Sequence, residues 1–255
     1  MNNSSIKFAI AIPTRMTSTR FPGKALALLG GMTVLERVYR KCMAVEQAKG
    51  NVYILTDSDE IMQFAKKIGA KAILTSPKCN NGTERIVEAL SQIDADFIVN
   101  VQGDEPFIPT ELISALMDKY SETKCLLSTA VSKISQAQDL DNPNIVKVLR
   151  NGLGKIIYFS RQALPYQREE KNKSKWLNNC DYFRHIGIYG YSKEVLKKYN
   201  DLPESILEKN EFLEQLRFVD ADYSFECVET KYLSIGIDTP QDLEEAELYL
   251  KKLSQ

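Results

Sequence analysis

The chain has 255 residues, of which 44% are hydrophobic and 26% are charged, a balance typical of a packed globular protein. Its net charge of −1 lacks the basic surplus that non-specific nucleic-acid or membrane-surface binding requires, and no stretch approaches the length of a transmembrane helix. The amino terminus lacks the apolar core of a signal peptide, so we expect a cytoplasmic protein.

A basic loop follows the first predicted element, a buried strand at residues 8–12. The loop carries Arg15, Arg20 and Lys24, with small residues such as Ser18 between them. Arginine presents a planar fork to phosphate oxygens, lysine a compact charge, and small residues let backbone N–H groups approach an anion. The spacing fits neither a Walker A motif nor a dinucleotide fingerprint. We predict a triphosphate cradle at the carboxyl end of this strand, with a solvated basic loop as the alternative.

The rest of the first half alternates strand-like and helix-like segments. The predicted strands lie at residues 52–56, 72–74 and 97–101. The predicted helices begin after Thr33, near residue 59 (ending at Gly69), after a cap at Thr83, and at Pro109. Such repetition implies right-handed crossovers and a largely parallel sheet with helices on both faces. The sequence therefore predicts a doubly wound α/β fold.

The second half has strand-like segments with fewer helices between them, which indicates a mixed sheet. These segments lie at residues 145–149, 156–159 and 185–191. A charged stretch at residues 168–175 predicts a solvated loop, with a lid as the alternative, and Pro240 opens a final amphipathic helix. Because no repeat or linker is visible, we predict one domain over residues 1–255, with a more irregular part at about 130–220.

An acidic turn follows the predicted strand at 97–101 and presents Gln102, Asp104 and Glu105. Mg²⁺ takes one or two carboxylates and completes its octahedron with phosphate oxygens and water. The turn therefore predicts a Mg²⁺ site, although an ordinary acidic turn explains it equally well. A second carboxylate could come from Asp238, which precedes the final helix and could instead cap it.

Other candidate residues are weak when taken singly. Five cysteines, an odd number at wide spacing, predict reduced thiols rather than disulfides or a zinc site. The only histidine, His185, begins an apolar strand, where a structural role is common. Glu214 and Gln215 fall on a predicted helix, where side chains face solvent by default.

Seven motifs nevertheless occur together in one order. They are R-x-x-S-T-R-F-P-G-K (15–24), G-T-E-R (82–85), N-x-Q-G-D-E-P (100–106), Y-F-S-R (158–161), R-H-x-G-I-Y (184–189), L-E-Q-L-R (213–217) and G-I-D-T-P (236–240). This series resembles the CMP-Kdo synthetases, the 3-deoxy-manno-octulosonate cytidylyltransferases, over about residues 8–253. The number and order of the motifs make the resemblance far more specific than any one loop.

The resemblance implies a fold and a reaction. Members of this family transfer CMP from CTP to the anomeric hydroxyl of a 2-keto-3-deoxy sugar acid, Kdo, and release pyrophosphate; the product serves lipopolysaccharide or capsule synthesis. The implied fold is a Rossmann-like, doubly wound, mostly parallel or mixed sheet of the nucleotide-diphospho-sugar transferase type. The family also implies a Mg²⁺ cofactor and a homodimer, with the part at about 130–220 serving sugar binding and dimerisation.

Site residues follow from the resemblance position by position. Arg15 and Lys24, together with the metal carboxylates, would be catalytic, and Asp104 and Asp238 would hold Mg²⁺. The nucleotide residues would be Arg15, Ser18, Arg20, Lys24, Gly82, Thr83 and Arg85, although Arg85 could instead be a structural ion-pair partner. The sugar acid would be bound by Gln102, Arg161, Arg168, His185, Tyr189, Glu214 and Gln215. Arg161 or Arg168 would pair with the sugar carboxylate, and His185 would bind a hydroxyl.

Some positions depart from the family's pattern. Thr14 stands where Ala is common, Asn81 stands where Ser is usual, and residues 168–179 form a long polar insert. An 8-amino Kdo analogue or another sugar acid therefore remains an alternative substrate. Two further classes are a metal-dependent glycosyltransferase and a non-catalytic nucleotide-binding regulator. Three loop cations favour a triphosphate over the diphosphate of a sugar donor, and two distant carboxylates favour catalysis over regulation.

Overall fold

The computed structural model describes residues 5–253 of the chain. Residues 1–4, on which the expected absence of a signal peptide partly rests, lie outside the described residues. Strands in the described part are β1 (Phe8–Pro13), β2 (Leu28–Leu29), β3 (Met32–Thr33), β4 (Val52–Thr56), β5 (Lys71–Leu74), β6 (Phe97–Val101), β7 (Leu127–Lys133), β8 (Lys147–Arg150), β9 (Ile156–Ser160), β10 (Phe183–Ser192) and β11 (Glu226–Glu229). Its α-helices are α1 (Val34–Met43), α2 (Asp59–Lys67), α3 (Gly82–Ala89), α4 (Thr110–Thr123), α5 (Trp176–Asn179), α6 (Lys193–Lys197), α7 (Ile206–Glu211), α8 (Leu216–Asp220) and α9 (Pro240–Leu253).

The main sheet is mixed and runs in the order β11-β7-β10-β6-β1-β4-β5, with β8 and β9 attached beside β10. Strand β1 pairs parallel with both β4 and β6, and β4 pairs parallel with β5. Strand β10 runs antiparallel to β6, β7 and β8. The predicted α/β class, with a parallel first half and a mixed second half, is confirmed.

Helices cover both faces of this sheet because successive residues of a strand point to opposite sides. On one side of β1, Ile10 and Ile12 are buried in a cluster with residues of α1, α2 and α4. On the other side, Ala9 and Ala11 are buried in a cluster with residues of α3. Full burial of each isoleucine contributes about 1.5–3 kcal/mol, so β1 is a stable central strand for the loop that follows it.

Among the differences between the local signals and the structure, one concerns the start of α3 and another concerns β7. Helix α3 is capped by Asn81, whose Oδ1 accepts a 2.8 Å hydrogen bond from Glu84 N, rather than by Thr83. Thr83 lies two residues further along the chain, and its buried hydroxyl contacts Tyr191 Oη at 2.9 Å. Strand β7 was not predicted, because its small and polar residues show no strand alternation. Six of its seven residues are nevertheless buried, since it lies between β10 and β11.

Residues 168–175 are exposed or half-buried, as the predicted solvated loop requires, but the longer insert at residues 168–179 is anchored at its far end. Its carboxyl-terminal part forms α5, and Trp176, 3% exposed, stacks on Tyr182 with ring centroids 6.0 Å apart. The indole Nε1 donates to Glu170 O at 2.7 Å. The sequence pattern did not predict the burial of Trp176, because many of the residues around it in the chain are charged.

The chain reverses its direction of winding between β1 and β6. From β1 it proceeds outward through β4 and β5, and α3 then carries it back to β6 on the other side of β1. A crevice opens at the carboxyl ends of strands at such a switch point. The turn after β6 approaches the loop after β1 closely: a Cβ on Gly103 would lie 2.9 Å from Thr14 Cβ. Only glycine fits there without displacing the loop.

None of the helices between residues 5 and 253 combines the length and the apolar character that a membrane span requires.

Candidate active site

A cleft of about 370 Å³ occupies the crevice at the carboxyl ends of β1 and β6. Five separate parts of the chain form its walls. The lining residues are Pro13, Thr14, Arg15, Ser18, Thr19, Arg20, Lys24 and Ala25 from the basic loop and its flanks, Cys79, Asn80, Asn81, Gly82 and Arg85 around the start of α3, Gln102, Gly103 and Asp104 from the acidic turn, and Glu214 and Asp238. All the predicted nucleotide residues except Thr83 therefore line one cleft.

The basic loop has a defined backbone. Ser18 N and Gly23 N both donate to Met16 O, at 3.1 and 3.0 Å. Gly23 has a φ of 76°, the left-handed region that glycine adopts at no steric cost. This conformation reverses the chain into a short 3₁₀ turn, Lys24–Leu26, and the side chain of Lys24, only 14% exposed, enters the cleft.

Two acidic side chains, distant in sequence, converge on Lys24. Its Nζ lies 2.5 Å from Asp104 Oδ2 and 2.8 Å from Asp238 Oδ1. Arg20 adds a contact of 2.9 Å to Asp238 Oδ2. Burial alone would raise the pKa of Asp238, but the hydrogen bond and charge of Lys24, aided by Arg20, outweigh it and lower that pKa. Burial would likewise lower the pKa of Lys24, and the two carboxylates instead raise it.

Asp238 is held at this point by the residues beside it. Ile237 N donates to Asp104 O at 2.9 Å, and the buried Ile237 side chain packs with Leu29. Helix α9 is capped by Thr239, whose Oγ1 accepts from Asp242 N at 3.2 Å. In return, Asp242 Oδ2 accepts from Asp238 N and Thr239 N. The capping alternative for Asp238 is therefore wrong, because its carboxylate faces the cleft.

Glu105 turns away from the cleft, although it is the next residue after Asp104. Its carboxylate accepts from Tyr232 Oη at 3.0 Å and from Ser234 Oγ. Burial raises the pKa of Glu105 to about 7, and the Asp104 charge adds to this rise, although the hydrogen bond from Ser234 opposes it. The acidic turn thus contributes one carboxylate to the cleft, and Glu105 is excluded from it.

A wider cavity of about 790 Å³ adjoins the cleft, and Asn80, Asn81, Gln102 and Glu214 line both. Its other walls come from α3, from β10 and from residues 204–217, which include α7 and the start of α8. These residues are Glu84, Gly187, Tyr189, Glu204, Glu208, Lys209, Phe212, Leu213, Gln215 and Arg217. Four predicted sugar residues are therefore together here: Gln102, Tyr189, Glu214 and Gln215.

Glu214 and Gln215 lie between α7 and α8, so their predicted placement within a helix is wrong. Glu214 Oε2 accepts from Thr83 N at 3.4 Å. Burial raises the pKa of Glu214 to about 7, although the bond from Thr83 opposes this. Gln215 Oε1 accepts from Tyr189 Oη at 3.3 Å, while its buried Nε2 has no partner among residues 5–253. A ligand hydroxyl could accept a hydrogen bond from that Nε2.

Three predicted sugar residues line neither cavity. Arg161 donates to Glu211 O at 2.7 Å and to Pro143 O at 2.8 Å, so its guanidinium joins backbone segments. The side chain of Arg168 is 92% exposed. His185 Nε2 lies 3.0 Å from Thr129 Oγ1, and burial lowers the pKa of this imidazole to about 3, which keeps it neutral.

The sequence left open whether Arg85 contacts the nucleotide or forms a structural ion pair, and the structure is compatible with both. It lines the cleft, yet its Nη2 pairs with Asp57 Oδ2 at 2.9 Å and its Nη1 donates to Thr75 Oγ1. The side chain of Arg85 is only 4% exposed. This ion pair joins α3 to the end of β4, and so Arg85 supports the wall of the cleft.

Sequence reasoning missed Asn80 and the charged rim of the wider cavity. On that rim Arg217 Nε donates to Glu208 Oε2 at 2.6 Å and joins α8 to α7. Arg217 is the last residue of the L-E-Q-L-R motif, which was the available signal. For Asn80 no signal was present beyond its position beside Asn81.

Two carboxylates of the described residues converge on one point of the cleft and could hold a metal ion, those of Asp104 and Asp238. No group of three or more metal-ligating side chains occurs within residues 5–253. An ion held there would need further oxygen ligands from a substrate or water, and Mg²⁺ bound with a polyphosphate has this coordination pattern. The Lys24 ammonium between the two carboxylates shows that their geometry accepts a cation.

Comparison with known proteins gives a consistent result. A family profile described as cytidylyltransferase matches residues 9–226. A 3-deoxy-manno-octulosonate cytidylyltransferase of Bacteroides thetaiotaomicron is 40% identical over 254 residues, covering 98% of this chain and 100% of that protein. One from Cytophaga hutchinsonii is 41% identical over 243 residues, covering 94% of this chain and 96% of that protein. A solved structure of a CMP:2-keto-3-deoxy-manno-octonic acid synthetase complexed with CTP has a TM-score of 0.90 at 33% identity, covering 97% of this chain and 99% of that one.

Proposed function

The chain belongs to the cytidylyltransferase family, among the CMP-Kdo synthetases, and we propose that it transfers CMP from CTP to the anomeric hydroxyl of 3-deoxy-manno-octulosonate. The observation that carries the proposal is the wall shared by two cavities. Gln102 and Glu214 face both the cation-lined cleft and the wider cavity beside it. A nucleotide in the cleft and a sugar acid in the wider cavity would therefore be adjacent.

The cleft suits the triphosphate of CTP. Arg15, Arg20 and Lys24 supply three positive charges on a loop whose backbone is already ordered. In the proposed reaction the anomeric hydroxyl oxygen attacks the α-phosphorus, and the hydroxyl proton passes to water. The bond between the α-phosphorus and the oxygen that bridges it to the β-phosphorus breaks, and pyrophosphate leaves. Phosphoryl transfer depends mainly on positioning and charge stabilisation, so no nucleophilic side chain is needed. The loop cations would hold the triphosphate and stabilise charge on the departing pyrophosphate.

The wider cavity suits the polyhydroxy acid. Tyr189, Glu214 and Gln215 offer hydroxyl, carboxylate and amide groups, and the unpartnered Gln215 Nε2 would donate to a sugar oxygen. Arg168 stays our candidate for the sugar carboxylate, because its exposed side chain is not committed to a buried partner. Arg161 and His185 also stay predictions, and each would have to leave its present hydrogen bonds to reach the sugar.

Mg²⁺ dependence is part of the proposal. Asp104 and Asp238 would hold the ion, since they are the two carboxylates that converge in the cleft and they already share a cation there. When bound, Mg²⁺ supplies charge neutralisation and lowers the pKa of a coordinated hydroxyl. Lys24 and Arg20 would then be free to turn from the carboxylates to the phosphates.

Substrate choice is tested by incubating the protein with Mg²⁺ and combinations of nucleoside triphosphates and sugar acids, and measuring pyrophosphate. We expect release with CTP and Kdo. Release only with an 8-amino analogue would reassign the sugar, and sugar transfer from a nucleotide sugar without any triphosphate would favour a glycosyltransferase. Membership of the cytidylyltransferase family does not favour the glycosyltransferase alternative.

Asp104→Asn tests the catalytic carboxylate. Because the substitution is isosteric, we expect an unchanged circular dichroism spectrum. Turnover should fall at least about 100-fold, because the metal ion that stabilises transition-state charge loses one of its two carboxylates. Glu36→Gln on α1 is the control and should retain full activity. Normal turnover of Asp104→Asn would contradict the assignment.

We also propose that the protein is a cytoplasmic homodimer that supplies CMP-Kdo for lipopolysaccharide or capsule synthesis. The family resemblance supports the dimer, and light scattering coupled to size-exclusion chromatography tests it. A monomeric mass at micromolar concentration would contradict it.

A further inference from the structure

The two adjacent acids of the turn after β6 point in opposite directions. Asp104 lines the cleft, whereas Glu105 does not. The Glu105 carboxylate instead accepts hydrogen bonds from Tyr232 Oη, at 3.0 Å, and from Ser234 Oγ. Both donors belong to residues 230–239, which join β11 to α9 without forming a helix or a strand. Glu105 thus joins the acidic turn to an irregular segment far away in sequence.

That segment carries Asp238. Its backbone passes directly over Glu105: a Cβ on Gly236 would lie only 3.1 Å from Glu105 Oε1. At the next residue, Ile237 N donates to Asp104 O at 2.9 Å. The turn therefore holds the segment through two bonds to the Glu105 side chain and one to the backbone of Asp104.

We propose that Glu105 is a positioning residue that holds the Asp238 segment against the Asp104 turn, so that the two carboxylates stay paired for a metal ion. An irregular segment loses conformational entropy when it is ordered, and contacts outside the segment must offset that loss. The Glu105 carboxylate supplies two such contacts within six residues of Asp238. The inference rests on the proposed function, because it concerns the carboxylates that would hold Mg²⁺.

The proposal differs from a general role in stability. A residue that only stabilised the fold would affect unfolding without a selective effect on residues 231–238 or on metal affinity. A positioning residue acts locally: its loss loosens this segment and weakens ion binding while the remaining fold stays intact. Outer groups that orient metal ligands typically contribute about 10–100-fold to metal affinity.

The test compares Glu105→Ala and Glu105→Gln with Glu36→Ala. Glu36 is a matched control, because its carboxylate pairs with Arg40 in the same helix and joins no distant segment. Amide hydrogen exchange of a peptide covering residues 231–238 is measured without metal, and Mn²⁺ affinity is measured by electron paramagnetic resonance.

For Glu105→Ala we expect at least about tenfold faster exchange in this peptide and about 10–100-fold weaker Mn²⁺ binding. Exchange in β1 and β6 should be unchanged. Glu105→Gln keeps an oxygen acceptor and should recover part of both losses, and Glu36→Ala should match the wild type. Wild-type exchange and Mn²⁺ affinity in a folded Glu105→Ala protein would overturn the proposal.

Milder variants cover the case in which Glu105→Ala does not fold. Tyr232→Phe and Ser234→Ala each remove one donor, and each should accelerate exchange in the same peptide by a smaller factor. Unchanged exchange in both would also overturn the proposal. The proposed metal role fails separately, if Asp104→Asn and Asp238→Asn bind Mn²⁺ as the wild type does. The metal-free exchange data then still decide the role of Glu105.

Discussion

Lys24 occupies the position between the two carboxylates to which we assign the metal ion, so the ion and the ammonium must compete. The contacts are 2.5 Å to Asp104 and 2.8 Å to Asp238. A divalent ion that enters without nucleotide has to displace Lys24 into solvent. We therefore expect Lys24→Gln to bind Mn²⁺ more tightly than the wild type in the absence of CTP.

The magnitude follows from the exposure of the pair. Hydrogen bonds to charged groups contribute about 1.5–3 kcal/mol when buried, and exposed ion pairs about 0–1 kcal/mol. The Lys24 side chain is 14% exposed but that of Asp238 is 49% exposed, so each contact is assigned a value in the upper half of the range for exposed ion pairs. Taking about 0.7 kcal/mol for each of the two contacts gives about 1.4 kcal/mol, which corresponds to about tenfold tighter Mn²⁺ binding.

The assay is Mn²⁺ titration of nucleotide-free protein, followed by electron paramagnetic resonance. Lys7→Gln is the matched control: Lys7 pairs with Asp94 at 2.6 Å at the amino-terminal end of β1, opposite the cleft. We expect no change in Mn²⁺ affinity for this variant. With CTP present the effect of Lys24→Gln should reverse, because the phosphates lose a cation, and the KM for CTP should rise more than that for the sugar.

Equal or weaker Mn²⁺ binding by nucleotide-free Lys24→Gln would refute this reasoning. A larger effect on the sugar KM than on the CTP KM would refute the assignment of Lys24 to the triphosphate.

Three further predictions concern stability. The native pKa of Glu214, about 7, exceeds the ordinary 4.5, so the contribution of Glu214 to the unfolding free energy is full below pH 4.5 and is lost as the pH rises through 7. Urea unfolding at a series of pH values should show that Glu214→Gln lacks this decline. Parallel pH profiles for the wild type and the variant would contradict the prediction. His185 has the opposite dependence, since its native pKa of about 3 lies below the ordinary 6.5: stability should fall as pH falls from 6.5 towards 3, and His185→Gln should remove that component of the profile. Gly103→Ala should lower the unfolding free energy by about 1–3 kcal/mol, measured as a lower Tm, because the new Cβ would lie 2.9 Å from Thr14 Cβ. Gly152→Ala is the control, since its Cβ would have no atom within 4 Å. Equal Tm changes in the two variants would contradict the close approach at Gly103.

Local patterns predicted several elements closely. The expected strands Val52–Thr56 and Phe97–Val101 have the predicted bounds, and Thr33 caps α1 by accepting from Glu36 N at 3.2 Å. These features depend on hydrophobic runs and on contacts within a few residues, which a single sequence displays directly. The basic loop was visible for the same reason, since its cations are close together in the chain.

Contacts between residues far apart in the sequence could not be predicted from local patterns. Strand β7 is buried because neighbouring strands pair on both of its edges, and its own residues do not show this. Arg161 donates to the backbone of Glu211 and Pro143, contacts that no motif indicates. The directions of side chains after a strand were also unpredictable, and so Glu105 entered the metal hypothesis beside Asp104.

By itself, the sequence determined the alternation of strands and helices, the basic loop and the acidic turn, because hydrophobic periodicity and local charge are properties of short segments. The tertiary structure decided which acids meet. Asp238 could have capped α9, but Asp242 and Thr239 perform that task, and the bond from Ile237 N to Asp104 O brings the Asp238 carboxylate to the cleft. Contacts between such distant residues form only when the sheet order and the packing of α9 place their segments together.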